Sequence, residues 1–239
     1  MMTYNTLSTQ PRPFLAMTGL TPAEFRDLLP AFATAYERTY PLDGTGPGQS
    51  RQRCPGAGRP SVLSRSEDQL LFVLVYLKTY PLQVVLGQLF GISTSQANYW
   101  LHHLLPVLRW ALDDLGVIPE RDGARMACRP VASKGTPGVI IDGTERRRQR
   151  PKNAEKQARH YSGKKKTHTD KNVLLASAAD EQVLFLSGTY PGATSDKRIA
   201  DEAGLRYPSD TTLYKDAGFQ GYEPVVQKTC QAKKKAKGR

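Results

Sequence analysis

Two aspartates each close a short apolar run and stand next to glycine-bearing turns. Val139-Ile140-Ile141 leads into Asp142 and Gly143; Thr212-Leu213-Tyr214 leads into Asp216, followed by Ala217-Gly218-Phe219-Gln220-Gly221-Tyr222. β-Branched apolar runs punctuated by glycine predict buried strands. A carboxylate where a buried strand stops can point into a cleft instead of the core. Oxygen donors of this kind suit hard cations such as Mg2+, which keep several waters. Two such ions, roughly 3.5–4 Å apart, can activate an attacking oxygen and stabilise a leaving one at a phosphodiester. Bridging them needs carboxylates that converge from separate strands. A lone strand-end aspartate more often only caps a turn; two flanking a basic insert point to a metal site that handles a polyanion.

That insert runs from residue 145 to 171. It holds eleven Lys or Arg against three acids, and so carries most of the chain's net charge of +12. Its cations include Arg146, Arg147, Arg148, Arg150, Lys164, Lys165, Lys166 and Lys171. Each phosphate neutralised by such a patch releases counterions, which predicts salt-dependent binding to DNA or RNA. Read without its neighbours, a charge run is a solvated loop.

The 239 residues suffice for one large or two small domains with a real core. A hydrophobic content of 39% is ordinary for a globular protein, whereas the cation excess favours nucleic acid or another anionic partner. No apolar run reaches the roughly 18 residues of a membrane span. The N-terminus carries no export pattern. Cys54, Cys128 and Cys230 lie far apart, match no zinc spacing and imply no disulfide framework. A reducing cytoplasm is the expected setting.

The elements that position these groups follow from caps and periodicity. Residues 1–13 show no pattern and are expected to be loose. Thr21-Pro22-Ala23-Glu24 predicts a helix start. Phe25, Leu28, Leu29 and Phe32 continue that helix toward Tyr40-Pro41. Asp43 to Pro60, with Arg51, Arg53 and Arg59, reads as a linker or a DNA-contacting arm. Ser64-Arg65-Ser66-Glu67 predicts a capping box opening an apolar helix to Tyr80. Leu82 to Phe90 is a short helix and Gly91 its turn. Ser93 with Gln96 caps a third helix whose apolar face is Ala97, Leu101, Leu104, Leu108 and Ala111, with Pro106 expected to kink it. A short helix, a glycine turn and a longer capped helix form a helix-turn-helix pattern. Ser95, Gln96, Asn98, Tyr99 and His102 fall away from the apolar face, where a recognition helix meets base edges and phosphates. An ordinary three-helix bundle would show the same pattern.

Gly116 to Pro137 reads as a connector. Beyond it, Gly143-Thr144 is expected to turn the chain so that Glu145–Gln149 pairs back as a second strand. Val173–Ala176 and Val183–Leu186 are strands about a turn at Asp180-Glu181. Thr194-Ser195-Asp196-Lys197 begins a helix with Ile199, Ala200 and Ala203, and Leu213-Tyr214 is a strand. Three strands, a helix and a strand is the order of an RNase H-like fold, in which the first and fourth strands are neighbours.

Four segments carry a resemblance: Ile141-Asp142-Gly143-Thr144-Glu145, Gln149-Arg150-Pro151-Lys152, Tyr161-Ser162-Gly163-Lys164-Lys165-Lys166-Thr167-His168-Thr169, and Asp216-Ala217-Gly218-Phe219-Gln220-Gly221. Together they resemble bacterial insertion-sequence transposases of the DDE class, above all the "IS five" family related to Harbinger-type nucleases. The helices over 63–112 resemble that family's helix-turn-helix. The resemblance implies that Asp142 and Asp216 are catalytic acids holding Mg2+ or Mn2+, two ions in the complete enzyme. It implies DNA contacts from Ser95, Gln96, Asn98, Tyr99, Arg146, Arg148, Lys164, Lys165, Lys166 and His168. Gly218 and Gly221 would shape the turn after the second aspartate. Double-stranded DNA, as terminal inverted repeats and target, is the implied partner. A homo-oligomer on DNA and a nucleoid-associated bacterial location go with it.

One departure stands out. The family places a third acid, a glutamate, on a helix well downstream of the second aspartate; here Asp216 is followed only by Glu223, directly before Pro224. A C-terminally truncated or frameshifted copy, inactive alone, is the resulting expectation. The alternatives are a non-catalytic DNA-binding regulator and a general basic RNA-binding protein. The expected organisation is a helix and Gly/Pro/Arg-rich linker over 1–60, a helix-turn-helix domain over 61–115, a connector over 116–137, and a partial RNase H-like domain of mixed sheet over 138–239.

Overall fold

The computed structural model describes residues 1–41, 61–128 and 138–231. The chain divides into two compact units, Met1–Val117 and Ile118–Arg239. The first is helical and the second is built on a mixed sheet.

The helical unit contains α1 (Tyr4–Leu7), α2 (Pro11–Thr18), α3 (Pro22–Thr39), α4 (Ser66–Thr79), α5 (Gln83–Phe90) and α6 (Thr94–Asp114). α3 opens on the expected reciprocal box: Thr21 accepts from the Glu24 N–H, and the Glu24 carboxylate accepts from the Thr21 N–H at 2.7 Å. It ends against Tyr40. The N-terminus departs from expectation, because residues 1–13 are largely helical. Thr3 and Thr6 cap α1, the Tyr4 N–H donates to Asp68 at 2.7 Å, and the Tyr4 ring stacks on Phe25 at 4.9 Å. Such a start is fixed by contacts distant in sequence, which no local periodicity reveals. α4 is buried on all sides from Gln69 to Val75, as a helix apolar all round must be. Its expected capping box at Ser64 is absent. The N-cap is Arg65, so Glu67 falls one position short of reciprocity and pairs with Arg65 at 3.0 Å instead. The linker assigned to 43–60 lies outside the described residues.

α5, the left-handed Gly91 and α6 form the predicted helix-turn-helix. Ser93 and Gln96 make their reciprocal cap, Ile92 is buried, and Ala97, Leu101, Leu104, Leu108 and Ala111 all face the core. α6 runs as one helix from Thr94 to Asp114 with Pro106 inside it.

The second unit carries β1 (Gly138–Arg147), β2 (Tyr161–Ser162), β3 (Thr167–Ser177), β4 (Val183–Leu186), β5 (Tyr190–Pro191), β6 (Thr212–Lys215) and β7 (Lys228–Gln231), with α7 (Ala154–His160) and α8 (Asp196–Glu202). The sheet order is β2-β3-β1-β6-β7, with β4 and β5 also on β3. β1 is antiparallel to β3 and parallel to β6, and β6 is parallel to β7. β1, β3 and β4, then α8, then β6 reproduce the three-strand, helix, strand order, and the first and last of these strands are neighbours. The molecule therefore has a helical helix-turn-helix region followed by a mixed-sheet domain consistent with an RNase H-like fold.

Strand alternation sorts the sheet into two faces. Val139 and Ile141 are buried with Val173, Leu175, Leu213, Ile199, Ala200 and Phe219. On the opposite face Ile140 is 42% and Tyr214 44% exposed.

At three places the structure corrects or adds to the sequence reading. β1 does not stop at Asp142, and Gly143-Thr144 is not a turn. The strand runs on to Arg147 because its register with β3 continues, with Glu145 opposite Lys171 and Arg146 opposite Asp170. Opposite charges across a ladder favour that extension. Secondly, β7 is a strand, although Lys228-Thr229-Cys230-Gln231 offers little apolar pattern; its place beside β6 decides it. Thirdly, the beginning of the expected connector packs with the sheet unit. Glu120 bridges to Phe185, and Met126, in a 3-10 turn over Gly123–Cys128, is buried in that core. Residues 129–137 lie outside the described residues.

Candidate active site and nucleic-acid interface

Asp142 and Asp216 are brought together by strand register. The parallel ladder of β1 and β6 closes on the pair Ile141 and Lys215; Asp142, still within β1, and Asp216, just past the end of β6, come next. Neighbouring strands lie about 4.8 Å apart. Both aspartates follow core-facing residues, so both fall on the less covered face. They line one open cleft of about 650 Å³ with Ile140, Tyr214, Cys230 and Gln231. Asp142 is exposed and accepts its own neighbour's N–H, that of Gly143, at 2.7 Å. Asp216 caps the 3-10 turn Ala217–Phe219, accepting the Gly218 N–H at 2.8 Å. The Gln231 side-chain amide donates to the Asp216 carbonyl at 2.9 Å, which ties β7 to the site. Lys215, buried on the core face, donates to the Tyr222 carbonyl and closes the loop that follows Asp216.

A third carboxylate adjoins this place, and no sequence motif marks it. Asp196 opens α8, and its Oδ1 is 3.2 Å from Lys171 Nζ. A Cβ built on Gly218 would lie 2.9 Å from Asp196 Oδ2 and 3.0 Å from Asp216 Oδ1. Two oxygens of different aspartates thus border one point. Asp196 Oδ1 is buried and has no hydrogen bond of good geometry despite its ion pair with Lys171. Its counterpart in the sequence is the pair of glycines at 143 and 218, where a Cβ would clash with Asp196.

Lys171 is one of the cations assigned to the basic insert, but it is buried. It donates to the Thr194 carbonyl at 2.9 Å and lies 3.4 Å from Glu145 Oε1. Burial pushes the Glu145 carboxyl up, but hydrogen bonds from Ser162 and Thr169 and the Lys171 charge outweigh it, and its pKa falls below the ordinary glutamate value.

The donor set fits a hard divalent cation. Asp142, Asp216 and the nearby Asp196 offer oxygen only, and Mg2+ is typically bound by one or two carboxylates with water and substrate phosphate completing its shell. Among the described residues no three His, Cys, Asp or Glu form a ready cage. Glu223 is exposed and lies in no helix.

The rest of the basic insert is ordered structure and not one loop. α7 is capped by Asn153, whose side chain accepts from the Lys156 N–H. β2 and the start of β3 form a hairpin, and Gly163 to Lys166 is its exposed tip. Lys166 takes the left-handed backbone at φ 54°, which turns the chain back. Among the described residues no carboxylate pairs with Lys164, Lys165 or Lys166. Tyr161 and His168 stand edge to face across the hairpin at 5.7 Å. Arg146 and Arg148 are engaged within the sheet: Arg146 donates to Asn172 at 2.9 Å, and Arg148 to Asp170 at 2.8 Å beside His160.

On α6, Ser95, Tyr99 and His102 are exposed. The Gln96 carbonyl is used by the cap, accepting the Ser93 N–H at 3.0 Å, which leaves its NH2 group outward. Asn98 donates to Gln83 at 3.2 Å and so links the two helices of the motif. Tyr99 packs on His103 with ring centres 3.8 Å apart.

Two known families match parts of the chain. Residues 62–113 match the family described as helix-turn-helix of DDE superfamily endonuclease. Residues 141–238 match the family described as DDE superfamily endonuclease. No curated protein and no solved structure matches the chain. The two matches, in this order, support a DDE superfamily endonuclease or transposase-like nuclease whose helix-turn-helix implies DNA binding. Among the described residues no helix is long and apolar enough to cross a membrane.

Proposed function

We propose that this chain is a transposase of a bacterial insertion sequence, of the "IS five" type, that binds the terminal inverted repeats of its element and, in its complete form with a third catalytic acid, cuts and joins DNA strands. The observation that carries the reading is the shared cleft of Asp142 and Asp216, each the residue directly after the last registered pair of two parallel strands. Asp142 and Asp216 would hold Mg2+ or Mn2+, two ions in the complete centre. Bound there, the ions supply charge neutralisation at the scissile phosphate and a more acidic attacking water or hydroxyl.

The chain's own residues account for placing the DNA. Lys164, Lys165, Lys166 and His168 on the projecting hairpin meet backbone phosphates. Arg146 and Arg148, held by Asn172 and Asp170, add fixed positive charge at the base of that hairpin. In the helix-turn-helix, Ser95, Gln96, Asn98 and Tyr99 lie in the first turns of α6, where base edges and phosphates are reached in motifs of this kind. Two copies acting on the two ends of one element, in the cytoplasm at the nucleoid, complete the proposal.

A second reading, a non-catalytic DNA-binding regulator of the element, is favoured by the lack of a ready three-acid cage among the described residues. Strand cleavage of DNA bearing the repeats that flank the gene, assayed with Mg2+ and with Mn2+, separates the two. Cleavage lost in both Asp142→Asn and Asp216→Asn supports the nuclease. Specific DNA binding without cleavage under either ion supports the regulator.

A further inference from the structure

We propose that Asp196, clamped by Lys171, is the positioning residue of the two-aspartate centre: its carboxylate is wedged between Gly143 and Gly218 and fixes the backbone that carries Asp142 and Asp216. This rests on the reading of those two aspartates as cation ligands.

The wedge is read from what the glycines leave free. A Cβ on Gly143 would lie 2.5 Å from Asp196 Oδ1 and 2.7 Å from its Cγ. A Cβ on Gly218 would lie 2.9 Å from Asp196 Oδ2. Non-bonded heavy atoms do not sit so close, so one carboxylate fills the room that both missing side chains would need. Gly143 follows Asp142 directly and donates its N–H to it; Gly218 donates its N–H to Asp216. The same group therefore packs against the backbone donor of each site aspartate.

What keeps Asp196 there is charge. Lys171 has a side chain only 9% exposed, with Nζ 3.2 Å from Asp196 Oδ1. Its other contacts, the Thr194 carbonyl and Glu145, aim the ammonium at α8's first residue. A buried carboxylate oxygen without a hydrogen bond is costly unless a paired charge compensates it. Here the compensation comes from Lys171, so neutralising the lysine expels the carboxylate from its niche. Two carboxylates against one ammonium also leave the cluster negative beside Asp216, which favours a cation in the adjoining cleft.

The test is Mn2+ affinity of the full chain, read by the electron paramagnetic resonance of free Mn2+, with thermal melts alongside to confirm folding. Partners that orient metal ligands typically change metal affinity by roughly 10–100-fold. Asp196→Ala, Lys171→Met and Gly143→Ala should each weaken Mn2+ binding by about 10-fold or more, and Lys171→Arg should restore much of it. Should Lys171→Met fail to fold, Gly143→Ala decides, since it alters no charged group and the atoms nearest its added Cβ all belong to Asp196. Asp216→Asn is measured in parallel. If it abolishes Mn2+ binding while folded Asp196→Ala and Gly143→Ala keep wild-type affinity, the positioning role is overturned and the cation reading stands. If Asp216→Asn itself leaves Mn2+ affinity unchanged, the cation reading falls and the proposal with it.

Discussion

Asp142 and Asp216 border one cleft because each directly follows a member of the last paired residues of the β1–β6 parallel ladder, Ile141 and Lys215. Their convergence is a property of register and not of either residue. A one-residue slip of β6 would turn Asp216 to the buried face and Leu213 outward. The loop after Asp216 resists such a slip, since Phe219 is fully buried and Lys215 is tied to the Tyr222 carbonyl.

The first prediction concerns chemistry. In the complete enzyme, with the third acid restored, Asp142→Asn and Asp216→Asn should each lower metal-dependent strand cleavage by at least ~10²-fold, the loss that misplacement by about 1 Å already causes. DNA affinity should change little, as measured by gel shift on the same substrate. Cleavage that survives either change would remove that aspartate from the centre.

The hairpin tip makes a second prediction. Replacing Lys164, Lys165 and Lys166 together with Ala should flatten the dependence of log affinity on log salt by up to ~3, about one unit for each phosphate no longer neutralised. Fluorescence anisotropy over a salt series reads this slope. An unchanged slope would take the three lysines out of the interface.

Recognition is tested on α6. Gln96→Ala should weaken binding to the element's ends more than to random DNA, because base contacts carry specificity and phosphate contacts do not. The cost for a good base contact is about 1–3 kcal/mol. Because Gln96 also caps α6, a thermal melt is needed beside the binding curves. Equal weakening on both DNAs, with stability reduced, would leave the residue a structural role alone.

Acid sensitivity provides a fourth. Glu145 has its pKa below the ordinary glutamate value in the folded chain. The unfolded chain therefore binds its proton at higher pH. Its contribution to stability is complete above the unfolded pKa and is lost as pH falls through the folded one. Denaturant titrations at neutral pH and at progressively lower pH, below the ordinary glutamate range, should show a smaller drop in stability for Glu145→Gln than for the parent chain. The same drop in both would mean that Lys171 and Thr169 do not hold the carboxylate in solution.

Where caps, apolar periodicity and glycine coincide, the sequence by itself determined the structure. Thr21 with Glu24 and Ser93 with Gln96 set helix starts through local hydrogen bonds between residues three apart. The face of α6 follows from one apolar residue per turn, and the strands at 139–141, 183–186 and 212–214 from short apolar runs ended by polar ones. The two aspartates were legible for the same reason, since each sits at the edge of such a run. What depends on partners distant in the chain was settled only by tertiary structure. α1 is held by Asp68 and Phe25, β1 runs past Gly143 because β3 offers matching charges, and β7 exists because β6 has an open edge. Lys171 counts in the sequence as one cation among eleven in a basic stretch. Only the register of β1 with β3 and the docking of α8 put it in the interior, between Glu145 and Asp196, and set Asp196 against the glycines of the site. Burial and pairing of a charge are decided by which backbones meet, and the one-dimensional pattern of charges does not contain that information.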